Sequence, residues 1–150
     1  MTRSRRAALV AALLASLLVA TTASAYVPAA WVPRAQHIAV DYWHAVPCGG
    51  EASVAWAALD PDTNAASTWS NPISSYGAPQ LNSGCVVDFN ATEAFSWPMF
   101  CTVMVHEYGH LLGRRHVPDR NDVMYIYYVR PVAPCAAGSR RASAARHRRK

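Results

Sequence analysis

Three features of the sequence predict an α+β fold. Strand-forming runs occupy Gln36–Val46, Glu51–Leu59 and Gly84–Asn90, and one helix-length segment follows from about Trp97 to Leu112. Between the second and third runs, Asp60–Ser83 is rich in Pro, Asn, Ser and Gly and reads mostly as turn and loop. At 52% hydrophobic and 15% charged residues, the 150-residue chain can bury one core of ordinary size, so a single small domain is expected.

The first segment stands apart from that domain. Arg3, Arg5 and Arg6 precede the apolar run Ala7–Ala20, and Ala23-Ser24-Ala25 supplies a small-x-small ending. This is the layout of a secretory signal peptide over residues 1–25, and the apolar run is shorter than the roughly 20 residues that a span requires. The mature protein is therefore expected to be secreted and extracellular, with no stable membrane anchor.

In an oxidising compartment Cys48, Cys85, Cys101 and Cys135 are expected to form two disulfides. Four cysteines allow three pairings, and the sequence does not choose among them. The pairing Cys48–Cys85 with Cys101–Cys135 is favoured because its second bridge would tie the start of the helix to the segment beyond Met124. No close Cys-x-x-Cys pair argues for a thiolate zinc site.

Charge is divided unevenly. The formal net charge is +5, but residues 26–135 carry five arginines against nine acids, whereas residues 136–150 carry six basic residues and no acid. That tail reads as a solvated, disordered basic arm. It could touch anionic cell-surface polymers, and nothing else in the chain suggests a specific nucleic-acid partner.

Each element has its own justification. In Gln36–Val46, Ile38, Val40 and Tyr42 alternate onto one face, as in a strand. Glu51–Leu59 mixes helix-forming alanines with Val54 and Trp56 at period two, and a strand is favoured. Asp60-Pro61-Asp62-Thr63-Asn64 resembles the opening of a calcium loop, but Ala65 and Asn71 stand where glycine and glutamate belong, so structural calcium is unsupported. Pro98 suits the first turn of the later helix, where its missing amide hydrogen costs nothing. Met104, Tyr108, Leu111 and Leu112 are expected to face inward. Asn90-Ala91-Thr92 forms a glycosylation sequon.

The chemistry lies in "HEYGHLLGRRH", residues 106–116. Residues four apart on a helix project from the same side, so His106 and His110 form a two-nitrogen clamp with Glu107 beside them. An unbroken helix would carry His116 roughly 9 Å further along and about 120° round the axis, away from a shared ion. Gly113 stands where the helix must end, because glycine past a helix terminus takes the left-handed conformation cheaply. His116 can then fold back, with Asp119 as an alternative third ligand. Three neutral imidazoles would leave one zinc position for water.

The spacing of His106, Glu107, His110, Gly113 and His116 resembles the complete metzincin signature, and Met124 resembles its Met-turn. Random placement would produce the five-residue pattern on the order of once in 10⁵ such chains. Tyr125 directly after Met124 makes the matrixins the most similar subfamily, although Val117 follows His116 where matrixins usually carry serine. The resemblance implies a zincin fold over residues 26–135, with a twisted, mostly antiparallel sheet packed on an active-site helix. The rim strand of its cleft would be Gly84–Asn90, and the family's long first helix has no counterpart in the pattern.

The same resemblance implies one catalytic Zn²⁺ on His106, His110 and His116, with Glu107 as general base and Met124 as an apolar floor. Tyr125, Tyr127 or Tyr128 would line a pocket or face the oxyanion. A peptide or protein would bind as an extended strand to a monomeric endopeptidase. The competing expectation is a catalytically silent secreted binding protein on the same scaffold, engaging anionic surfaces through its basic tail.

Overall fold

The computed structural model describes residues 27–50, 52–70 and 83–137, so residues 1–25 and most of the basic tail lie outside the described residues. The elements in chain order are helix α1 (Trp31–Trp43), strands β1 (Ser53–Ala57), β2 (Ala65–Thr68) and β3 (Val86–Asn90), and helix α2 (Trp97–Leu111). The class is α+β, as expected. No helix among the described residues is long and apolar enough to cross a membrane.

The largest correction concerns Gln36–Val46, which belongs mostly to α1 and is not a strand. Alternation of Ile38, Val40 and Tyr42 was outweighed by a second pattern in the same residues. Trp31, Ala35, Ala39 and Trp43 recur every four positions, and Ala35 and Ala39 are fully buried. Small residues along that stripe let α1 approach α2 closely, and an aromatic ring closes each end. The helix stops at His44, which takes the left-handed conformation at φ 49°. A long first helix is therefore present.

The three strands form one sheet in the order β1-β3-β2. β1 runs parallel to β3 with Ser53 opposite Val86, while β2 runs antiparallel with Ala65 opposite Phe89. The sheet is thus mixed. It also reassigns the rim: among the described residues β3 is the central strand, and the edge strand in contact with α2 is β2, inside the stretch read as loop. Four residues of Ala, Ser and Thr carry too little apolar alternation to announce a strand. Its pairing with β3 supplies what its propensity lacks.

Inward-facing Val87 and Phe89 of β3 meet Phe100, Met104 and Leu111 of α2, all fully buried. Phe89 and Phe100 stack with ring centroids 4.5 Å apart, and Trp56 lies 5.6 Å from Phe89. Burying side chains of this size stabilises by about 1.5–3 kcal/mol each. Helix α2 begins at Trp97 with Pro98 in its first turn, as anticipated, and Ser96 accepts the Met99 amide at its N-terminus. Met104, Tyr108 and Leu111 are buried, whereas Leu112, at the helix end, is half-buried. Residues 125–130 are irregular, and a helical turn instead occupies 133–137, beyond Pro131.

Two disulfides staple the domain. Cys48–Cys85 joins the turn after α1 to the start of β3, and Cys101–Cys135 joins α2 to the last turn. Asn90 performs a comparable service by hydrogen bonding. It is buried, its Nδ2 donates to the carbonyls of Asp60 and Thr63, and its Oδ1 accepts from Thr92 N–H and Oγ. The loop whose opening resembles a calcium site is therefore gathered by an amide.

Candidate metal centre

Helix α2 delivers His106 and His110 one turn apart, with their Nε2 atoms 3.0 Å from each other. The chain then reverses. Gly113 takes φ 81°, its N–H donates to the His110 carbonyl, and Arg114 N–H donates to the Gly109 carbonyl. That paired arrangement is a Schellman close, which satisfies carbonyls the ending helix would otherwise orphan. The reversal brings His116 Nε2 to 3.2 Å from that of His106 and 3.0 Å from that of His110.

Proton placement shows what this cluster can hold. His106 Nδ1 lies 2.7 Å from the Val123 carbonyl, and His110 Nδ1 lies 2.9 Å from the Arg114 carbonyl. A carbonyl only accepts, so both Nδ1 atoms carry the hydrogen and both Nε2 atoms present lone pairs. Two lone pairs facing each other at 3.0 Å make no hydrogen bond. A cation between them resolves the arrangement. Tetrahedral zinc, with Zn–N near 2.0–2.1 Å, requires nitrogens about 3.3 Å apart, close to the observed triangle. The three imidazoles form the one group of three or more metal-binding side chains among the described residues, and a tetrahedral zinc on them would leave its fourth position for water.

Burial lowers the pKa of both His106 and His110, while the carbonyls of Val123 and Arg114 oppose that shift. Both rings therefore stay neutral, and able to bind metal, further into the acidic range than a free histidine.

The segment after His116 supports the cluster. Asp119 Oδ1 accepts the Asn121 amide, and Asp122 Oδ1 accepts that of Met124, two side-chain-to-backbone bonds that shape the turn. Asp119 is thus a turn former, and His116 completes the triad in its place. Val117 N–H donates to the Met124 carbonyl, fastening the third histidine's strand to this turn. Met124 is buried against Gly109, where a Cβ would collide with its sulfur. Trp43 of α1 closes the same contact, its indole N–H donating to the Val105 carbonyl at 2.8 Å.

Glu107 is only 4% exposed, yet it borders the cleft shared with all three histidines. Burial raises its pKa, and hydrogen bonding from Ser67 opposes the rise. The Ser67 hydroxyl, on β2, donates to Glu107 Oε2 at 2.8 Å. Neither Ser67 nor Trp43 was singled out from the sequence. Ser67 lies in a segment read as loop, and Trp43 in one read as strand.

The cleft, about 1210 Å³, runs between β2 and the segment beyond Met124. Tyr125, Tyr127 and Tyr128 line it opposite Trp69, with Tyr125 and Tyr127 rings 6.0 Å apart. Tyr127 is mostly exposed, while burial raises the pKa of Tyr128.

No curated protein matches the chain. The family model for the matrixins matches residues 36–135, which takes in α1 from Gln36 onward, α2, the whole sheet, the histidine triad and all four cysteines. Two-thirds of the sequence and the metal-binding triad agree, and the chain belongs to the matrixin family of zinc metallopeptidases.

Proposed function

We propose that the protein is a secreted zinc-dependent endopeptidase that hydrolyses peptide bonds with Glu107 as general base. The observation that carries this reading is the convergence of three imidazole Nε2 atoms within 3.2 Å of one another, with a carboxylate bordering the same cleft. A purely structural zinc site is closed by four protein ligands and has no use for that carboxylate.

His106, His110 and His116 hold the ion through Nε2. Zinc at this position supplies Lewis acidity, polarising a carbonyl and lowering the pKa of water toward about 7. Glu107 accepts a proton from the attacking water as its oxygen bonds to the carbonyl carbon. It returns that proton to the nitrogen as the C–N bond breaks, and the remaining acid proton passes to the amine, leaving a carboxylate and an ammonium group.

The substrate is an extended peptide alongside β2. Asn90 N–H donates to the Asn64 carbonyl, so antiparallel alternation turns the main-chain groups of Ala65 and Ser67 away from β3. These edge groups can pair with an added strand in the cleft. Signal cleavage and export agree with two disulfides, which persist in oxidising surroundings.

The test is Glu107→Ala in zinc-loaded protein. Chelator-sensitive peptide hydrolysis should fall by several orders of magnitude while zinc stays near one per chain. Activity that survives the substitution removes Glu107 from the reaction, and a wild type that binds zinc without cleaving peptides favours the binding-protein alternative.

A further inference from the structure

We propose that Ser67 is a positioning residue for Glu107, fixing the carboxylate from the strand that also receives the substrate. The inference rests on the peptidase reading above and goes beyond it by naming a residue outside the metal-binding motif. Ser67 lies 40 positions from Glu107 in sequence, and its hydroxyl donates to Oε2 at 2.8 Å. The backbone N–H of Ser67 hydrogen-bonds the same carboxylate, so both donors that act on Glu107 come from this one residue.

The placement couples two functions. Among the described residues β2 pairs only with β3, and Ser67 is one of the residues whose main-chain groups face its other edge. A peptide added there contacts the backbone of Ser67 while the hydroxyl of Ser67 holds the base. The carboxylate is consequently registered to the same strand that registers the scissile bond, with Oε2 engaged by the Ser67 hydroxyl. Glu107 itself sits on a rigid helix, but its side chain has several rotatable bonds, and burial alone does not choose a rotamer. The hydroxyl does. Errors of about 1 Å in such groups cost roughly 100-fold in rate.

Ser67→Ala and Ser67→Thr separate this role from packing. Alanine already occupies positions 65 and 66 of the same strand and threonine position 68, so both replacements suit β2. In zinc-loaded enzyme, Ser67→Ala should lower kcat roughly 10- to 100-fold with KM changed by less than about twofold, and with zinc content and Tm unchanged. Ser67→Thr, which keeps the hydroxyl, should recover kcat to within about threefold of wild type. A Ser67→Ala enzyme with wild-type kcat, a loss carried by KM or by zinc content, or a threonine variant as impaired as alanine overturns the proposal.

Crystal structures of the zinc-loaded variants give a readout independent of turnover. Glu107 should keep one rotamer in wild type and Ser67→Thr and take a different or second one in Ser67→Ala. An unchanged carboxylate in Ser67→Ala overturns the role. If wild type cleaves no peptide, the peptidase reading fails, and the rotamer comparison still decides whether Ser67 positions Glu107.

Discussion

Gly109→Ala is the substitution whose effect can be worked most directly from the geometry. The new Cβ would collide with Met124 Sδ and stand 2.8 Å from Trp43 Cζ2, where carbon contacts are ordinarily about 3.5–4.0 Å. The methionine side chain can bend aside, but its backbone is held by Asp122 and Val117. Trp43 cannot yield freely, because its indole N–H is bonded to Val105 and Arg114 lies 5.4 Å from its ring centroid. Overpacking of this kind costs about 1–3 kcal/mol, which lowers Tm by on the order of 10 °C in a domain of this size. Moving the Met124 segment also moves the Val123 carbonyl that orients His106, and loss of such a support weakens metal affinity roughly 10- to 100-fold. Thermal melts with and without zinc, and competition with a chromophoric chelator, measure the two effects. A Gly109→Ala protein with wild-type Tm and zinc affinity would refute the reasoning.

Three further outcomes are expected. Replacing Cys101 and Cys135 together by alanine opens a bridge with a sequence separation of 34 and should cost about 3–4 kcal/mol, read as a lower denaturant midpoint. Asn90→Ala strands the carbonyls of Asp60 and Thr63 and should cost about 2–4 kcal/mol; because the amide is buried and bonded, mass spectrometry of protein from a glycosylating host should find position 90 unmodified. For the metal-free protein, His106 and His110 have pKa values lowered from 6.5, so the folded chain binds fewer protons than the unfolded one between the lowered values and 6.5. Stability therefore falls as pH drops through that window, with a lower Tm at about pH 5.5 than at about pH 7.5. Glu107, raised by burial, acts in the opposite sense between 4.5 and its own pKa, and a Tm that rises on acidification would show that it dominates.

The metal centre was readable because its spacing is local. His106, His110 and Gly113 sit within two turns of one helix, and the position of His116 follows from where that helix must stop. Helix α2 and strand β1 were readable for similar reasons, since Pro98 and the Val54 and Trp56 pair act over a few residues. Helix α1 was not, because its apolar residues satisfy period two and period four at once, and only packing against α2 selects the second. The edge strand β2 was equally hidden. Residues 65–68 become a strand through β3, more than fifteen positions away, and with them went the chance of seeing Ser67 beside Glu107.

The central claim is that three imidazoles and one open position make a hydrolytic centre, and an anomalous-scattering map at the zinc edge tests it most directly. A single ion bonded to Nε2 of His106, His110 and His116, with no fourth protein ligand, is the expected result. An ion saturated by protein atoms, or bound without His116, would contradict it.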